Sequence, residues 1–456
     1  MNNFQSRLGA QRAFFRTGAT KDISFRIEQL KTLKNLLTEN EDLLIEAVHQ
    51  DFRKSAFETY GTEIGLVITD INYAIKNVVN WAKPKSVSSS LVNFPSKNFV
   101  ITEPYGNALI IAPWNYPILL ALQPLVGAIA AGNTAILKPS ELTPNTSQTL
   151  ATLFKTYFDE RFIDVVLGGT EEAQQLIQLK FDYIFFTGST RVGRIIMKTV
   201  AENLTPMTLE LGGKSPCIVD KTANLEISAK RIAWGKFVNA GQTCVAPDYL
   251  MVDESIKDEF IIHLKEAIVS FYGEDPIFSP DYPRIINNAH FERLESYLKD
   301  GEVVIGGEVD RSELYIAPTI LDRVSWSDAV MQEEIFGPIL PILTYQSVDD
   351  CIDKINLHPR PLALYIFTNN EELEQQILSE VSFGGGAVND TIAQLGNHHL
   401  SFGGVGASGF GSYHGKASFD SFSHQKSVMK KPFWPDVPIR YAPYDGKLGL
   451  IKKIIK

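Results

Sequence analysis

The sequence predicts an α/β protein built on parallel sheets covered by helices. Three observations carry this reading. From Ala108 onward, short apolar runs alternate with helical stretches. After residue 210 a second set of such runs begins. The chain has 456 residues, more than one hydrophobic core serves, so two or three domains are expected. Strands that are apolar on both faces and separated by helices imply a parallel sheet with both faces buried.

In chain order, residues 22–50 carry Ile27, Leu30, Leu33, Leu36 and Leu37 at helical spacing. A second helical pattern runs through Ile64, Val67, Ile68, Ile71, Ala74, Ile75, Val78 and Val79. Residues 83–90 form a Pro/Ser/Lys linker, and 97–103 reads as a strand closed by Pro104-Tyr105-Gly106. Strands follow at 108–112, 134–138, 162–166, 182–187 and 207–210, with helices near 117–131, 145–158, 170–178 and 191–203. The second set places strands at 215–220, 248–253, 340–345 and 363–368, with helices near 224–238, 255–272, 287–300, 347–357 and 370–380. Residues 384–415 are glycine-rich, which suits a bridging loop, an active-site rim or a lid hinge.

Composition removes several classes of function. A net charge of −10 argues against general nucleic-acid binding, which needs clustered Lys and Arg. Three cysteines without paired spacing fit neither a disulfide scaffold nor a Cys-rich zinc site, and they suit a reducing cytosol. The N-terminal residues lack the layout of a secretory leader, so none is expected. The longest uncharged apolar run, 116–132, contains Pro117 and Pro124 and reads as a buried helix, not a membrane span. His398-His399 is a loop pair without a carboxylate at ligand spacing, so no metal site is expected.

The chemistry gathers around 237–248, FVNAGQTCVAPD. Cys244 sits there among small polar residues with no apolar rhythm. By itself the segment leaves a packing cysteine and a nucleophile equally open. Cys217, in an apolar strand, and Cys351, among helical residues, read as packing. In parallel sheets ligands bind outside the carboxyl ends of the strands, and each strand end here carries polar residues. Asn115 lies between two prolines after 108–112. Lys138 and Glu141 follow 134–138. Gly188, Ser189 and Gly193 make a strand-to-helix turn, a ready phosphate site although it is neither a G-x-G-x-x-G fingerprint nor a P-loop. Glu210 ends the last strand beside Gly212-Gly213. These parts outline thiolate attack at a carbonyl carbon, an amide-lined oxyanion site, a water-activating carboxylate and a nucleotide cofactor that accepts hydride.

The motifs APWNYP, KPSELTP, FTGST, LELGGKSP, GQTCVAPDY, EEIFGPILP and FGGVGASG occur in that order, and RYAPYDGKLG follows them. In these the sequence resembles the aldehyde dehydrogenase superfamily, in particular its short class-three branch, over nearly the whole chain. The resemblance implies Cys244 as nucleophile, Glu210 as general base, and Asn115 with the Cys244 backbone N–H as oxyanion hole. It implies that Lys138 and Glu141 hold the adenosine ribose and that Gly188, Ser189 and Gly193 face the pyrophosphate. Glu334 and Phe336 would position the nicotinamide ribose and ring. One motif departs: the family's Pro-Phe-Gly-Gly is Ser401-Phe402-Gly403-Gly404 here, which frees φ at the substrate mouth.

The fold it implies is a Rossmann-like dinucleotide-binding domain (1–83 and 105–210), an α/β catalytic domain (211–394) and a small β bridging and oligomerisation element (84–104 and 395–430), followed by a tail (431–456). The activity it implies is oxidation of a medium- to long-chain aliphatic or aromatic aldehyde with NAD, and with NADP as an alternative acceptor, in a cytoplasmic homodimer. A CoA-acylating dehydrogenase is disfavoured by a carboxylate at position 210. A cofactor-free thioester-forming esterase would leave KPSE, FTGST and EIFGP without purpose, and a binding protein on a retained scaffold would not need Cys244, Glu210 and Asn115 together. The tail segment 447–456, KLGLIKKIIK, sets Leu448, Ile451, Ile454 and Ile455 at helical spacing against Lys452, Lys453 and Lys456. Weak peripheral membrane contact, packing on the enzyme's own body, and fraying are the three expectations for it.

Overall fold

The computed structural model describes residues 3–455. Its architecture is mixed α/β with two large, mainly parallel sheets. The first has six strands in the order 409–410, 207–210, 183–187, 107–111, 134–138 and 163–165. All neighbours are parallel except the short edge strand Gly409–Phe410, which runs antiparallel to Met207–Glu210. Side chains of Asn107–Ile111 alternate between two cores: Ala108 and Ile110 face the layer of N-terminal helices, while Leu109 and Ile111 face Leu176, Ile196 and Val200. This two-sided burial is why the strands are apolar at every position.

The second sheet has seven strands in the order 302–305, 319–322, 339–345, 249–253, 216–219, 363–367 and 385–388. Here too the antiparallel pair, Glu302–Ile305 with Thr319–Asp322, lies at an edge. A separate antiparallel sheet joins Lys85–Val87, Lys97–Pro104 and Ser423–Lys430.

Several expectations need correction in detail. The helical pattern over 22–50 divides into Ile23–Glu39 and Glu41–Phe52 at Asn40. A helix at Asn3–Arg16 was not foreseen, because Leu8 is its one fully buried hydrophobe; Gln11 instead donates to the Ala135 carbonyl at 2.8 Å and Arg7 pairs with Asp164 at 3.1 Å. The 83–90 linker contributes the strand Lys85–Val87. Strands Glu302–Ile305, Thr319–Asp322 and Gly385–Val388 were also unforeseen. The last has no apolar run because Gly386 lies so close to its neighbour that a Cβ would meet the Leu364 carbonyl oxygen at 2.1 Å. The segment after 395 divides: 409–410 extends the first sheet, and 423–430 joins the three-stranded one.

Helix Leu119–Ala131, the apolar run with Pro124 inside, is buried along its whole length. Among the described residues no helix is long and apolar enough to cross a membrane. The tail ends in helix Leu448–Ile454, with Leu448 and Leu450 exposed.

Candidate active site

The first sheet presents the ends of its strands. The chain leaves Asn107–Ile111 through Pro113-Trp114-Asn115-Tyr116 into helix Leu119–Ala131. Asn115 is buried, and its Nδ2 donates to the Gln242 carbonyl at 2.9 Å, leaving its second amide hydrogen for another acceptor. Tyr183–Thr187 leads through Gly188 into helix Thr190–Val200, where Ser189 accepts from Val192 N at 3.4 Å as the N-cap. The N–H groups of a helix's first turn lack intrahelical partners and favour an anion.

Gly193 is buried for a packing reason, since a Cβ there would meet Leu211 at 2.8 Å. Lys138 is buried at the end of its strand, its Nζ bonded to the Pro139 carbonyl at 2.8 Å and to Glu141 at 3.4 Å. Burial lowers its pKa, opposed by Glu141. Glu210 ends Met207–Glu210 with both carboxyl oxygens buried and unpartnered. Desolvation pushes its pKa well above the usual carboxylate range.

The second sheet presents the loops that enter its strands. Cys244 precedes Tyr249–Asp253, and Glu334 and Phe336 precede Ile339–Tyr345. The cysteine loop departs from helix Leu225–Phe237 through Asn239 and Ala240, both left-handed with φ of 54° and 50°. Gly241 follows at φ 72°, where a Cβ would meet the Gly337 carbonyl oxygen at 2.2 Å. Cys244 itself is partly accessible, and burial with the nearby Glu334 and Glu210 carboxyls pushes its thiol above the usual range.

Lys214 explains the next stretch. Its Nζ donates to Asp248 at 2.6 Å and to the Val330 and Glu333 carbonyls, while Asp248 accepts from Ile335 N at 2.9 Å. Arg293 adds a 2.8 Å bond to the Ile335 carbonyl. So held, Phe336 takes a left-handed φ of 52° and meets Trp114 edge-to-face at 5.4 Å. Gly212 makes room for the Glu334 carboxyl, which a Cβ would meet at 1.9 Å. Burial, reinforced by Asp248, raises Glu334 to about 8.

The two edges face each other across a cavity of about 470 Å³, within the range of small-molecule sites. Asn115, Gly188, Ser189, Glu210, Cys244, Glu334 and Phe336 all line it. Lys138, Glu141 and Gly193 are not in its wall. Cys217 and Cys351 are buried in strand and helix packing. Of the glycine-rich stretch, Ile392, Leu395 and Phe402 are among the residues that line it, while Ser401 lines a smaller adjoining cavity of about 140 Å³.

Sequence reasoning missed the buried charges Lys54, Glu58 and Glu63, and also Asn239, Asp248, His290 and Arg293. Glu63 had a signal: it lies four residues before Val67, on the face later occupied by Ile71, Ala74 and Val78, all buried.

The match to the aldehyde dehydrogenase family model runs over residues 5–428. The chain belongs to the aldehyde dehydrogenase family. It is 52% identical over 458 residues to 4,4'-diaponeurosporen-aldehyde dehydrogenase of Staphylococcus aureus (strain NCTC 8325 / PS 47), covering 100% of both chains. It is 48% identical to mouse (Mus musculus) aldehyde dehydrogenase family 3 member B3, over 97% of this chain and 93% of the other. Its fold superposes on the substrate-bound state of Staphylococcus aureus AldH with a TM-score of 0.98, 51% identity and full coverage of both chains. The dehydrogenase is of the class-three type and oxidises an aldehyde with NAD(P) as acceptor.

Proposed function

We propose that Cys244 is the nucleophile of this dehydrogenase, and that Asn115 Nδ2 with the Cys244 backbone N–H holds the oxyanion. The observation that carries this is the meeting of Cys244, Asn115 and the unpartnered Glu210 carboxyl around one cavity. The thiol gives its proton to solvent water and its sulfur bonds to the aldehyde carbon as the C=O π bond opens onto oxygen, giving a thiohemiacetal oxyanion near the Asn115 amide. Bound NAD(P) supplies the hydride acceptor. Once the carbon has lost hydride it is a Cys244 thioester. Glu210 takes a proton from water, the water oxygen bonds to the acyl carbon, the C–S bond breaks, and carboxylate leaves.

Glu210 lies buried at the cavity wall and must meet water as its carboxylate to act as the base. Two features support binding of the cofactor. The buried Thr187 hydroxyl, at the strand end before Gly188, is unpartnered at the cavity wall. Glu334 is admitted by Gly212. Glu334 and Phe336 would hold the nicotinamide ribose and ring, Gly188, Ser189 and Gly193 the pyrophosphate side, and Lys138 and Glu141 the adenosine ribose. Glu141 favours NAD, since a carboxylate repels a 2′-phosphate and accepts from a 2′-hydroxyl.

Leu66, Leu119, Leu120, Trp234 and Phe402 in the wall support medium- to long-chain aliphatic or aromatic aldehydes as substrates. We read the six-stranded sheet with the N-terminal helices as the dinucleotide-binding domain, the seven-stranded sheet as the catalytic domain and the three-stranded sheet as the bridging element. Both edges of that small sheet, 85–87 and 423–430, are mostly exposed and pair with no further strand among the described residues, which supports a homodimer, and three free cysteines support a cytoplasmic setting. Exposed Leu448 and Leu450 beside Lys452 and Lys453 support weak contact of the tail with anionic lipid. Co-sedimentation of the full chain with anionic vesicles, against a chain ending at Gly446, tests that last point; equal sedimentation ends it.

The assay for the reading as a whole is NADH formation from a simple aldehyde with and without CoA, beside ester hydrolysis without cofactor. NADH formation independent of CoA is expected. Strict dependence on CoA, or ester hydrolysis alone, would overturn it.

A further inference from the structure

Beneath the cavity wall lies a cluster of charges that the reaction does not use. Lys54 and Glu63 are wholly buried and paired at 2.7 Å, with the ammonium 4.2 Å from the centre of the Tyr116 ring. The other Glu63 oxygen accepts from Ile118 N at 2.8 Å and Leu119 N at 3.2 Å, so the carboxylate sits on the N-terminus of the helix that follows Asn115. Glu58, in the short helix Ala56–Thr59 that follows Lys54, reaches the other way, and its Oε1 accepts from Asn239 N at 2.8 Å.

Asn239 is the crossing point. Its Nδ2 donates to the Asn115 carbonyl at 2.8 Å and to the Gln242 carbonyl at 3.1 Å. Gln242 receives the Asn115 side chain on the same carbonyl, and its own amide bonds to the Arg284 carbonyl and to Ile286 N. Tyr116 OH and Thr243 Oγ1 lie 2.7 Å apart, closing the ring on the residue before Cys244.

A residue in the left-handed region is strained unless its surroundings hold it there, and here the holding group is a buried carboxyl. We propose that Glu58 and Asn239 are positioning residues that set the distance between the Asn115 amide and the Cys244 sulfur. Neither lines the cavity itself, so they act through Asn115 and the 239–243 loop. A shift of about 1 Å between nucleophile and oxyanion donor is enough to slow a reaction about 100-fold. The Lys54–Glu63 pair anchors the Asn115 side of the same frame. The inference rests on the assignment of Asn115 to the oxyanion.

The test uses the full-length enzyme and the single-turnover rate of NADH formation. Asn239→Gly keeps the left-handed backbone and the N–H bonded to Glu58 while deleting the side-chain bonds. It should slow that rate about 10- to 100-fold with the NAD dissociation constant unchanged. In an Asn115→Ala background the same change should cost little more than Asn115→Ala alone. Glu58→Gln, which keeps an acceptor oxygen, should stay within about threefold of wild type, and Glu58→Leu should resemble Asn239→Gly.

A rate within twofold of wild type for Asn239→Gly, full additivity with Asn115→Ala, or a matching loss of NAD affinity would overturn the proposal. If Asn239→Gly does not fold, the two Glu58 variants decide alone, and equal rates in them overturn it. An unimpaired Asn115→Ala would instead remove the oxyanion assignment, so the two failures are distinguishable.

Discussion

The two large sheets face one cavity with opposite edges. The six-stranded sheet presents residues on loops leaving its strands: Asn115, Gly188 and Glu210. The seven-stranded sheet presents residues on loops entering its strands: Cys244 before 249–253, Glu334 and Phe336 before 339–345. The difference has a physical consequence. The loops at Asn115 and Gly188 run into helices, so each brings a helix N-terminus and its free N–H groups, which suit a phosphate or an oxyanion, while the loop after Glu210 runs into strand Pro216–Val219. The entering loops have no such scaffold. They take left-handed conformations at Asn239, Ala240 and Phe336, and side-chain bonds from Glu58, Lys214 and Arg293 hold them. The leaving edge carries Asn115 and Glu210 beside two helix N-termini, and the entering edge carries Cys244 and Glu334 on loops fixed by buried charge.

Damage to the two edges should therefore differ in kind. The largest effect belongs to the entering edge. Cys244→Ser should lower kcat by more than about 100-fold while NAD binding stays close to wild type, because a hydroxyl without a dedicated base is a poor nucleophile. Steady-state kinetics with parallel NAD titration checks this, and a residual tenth of the activity would contradict it. On the leaving edge the expected change is in selection. Glu141→Gln should raise the NADP-to-NAD ratio of kcat/KM about 3- to 10-fold with little loss of maximal rate. An unchanged ratio would remove Glu141 from the ribose site.

The smallest effect sharpens the comparison through stability. Burial raises the Glu58 carboxyl from 4.5 to about 7, against Lys54 and the Asn239 N–H. A carboxyl with a raised folded pKa holds its proton better in the folded state. Its contribution is therefore complete below about 4.5 and is lost as pH rises through about 7. Glu58→Gln removes that loss, so its Tm relative to wild type should rise by about 2–4 °C between pH 5 and pH 8. A pH-independent difference in melting would contradict the buried, proton-binding Glu58.

The same contrast explains what could be read in the sequence. The leaving edge was legible because strand ends follow apolar runs, so Asn115, Gly188 and Glu210 could be placed before any coordinates. Cys244 stood out as a polar interruption, and the family motifs named Glu334 and Phe336. What holds the entering loops was not legible. Lys54 and Glu58 look like ordinary solvated charges in DFRKSAFETY, and their burial depends on helix packing and on Asn239, which lies 181 residues from Glu58. Strand 385–388 escaped for a related reason, since glycines at a crowded sheet edge carry no apolar pattern.

Covalent catalysis shared between the two edges is tested most directly with Glu210→Gln. Rapid mixing of this variant with NAD and aldehyde should give a burst of about one NADH per active site, then turnover slowed by stalled thioester hydrolysis. The acyl group should be recoverable on Cys244 by mass spectrometry of the quenched enzyme. Undiminished steady turnover without a burst, or an acyl adduct on any residue other than Cys244, would contradict the account.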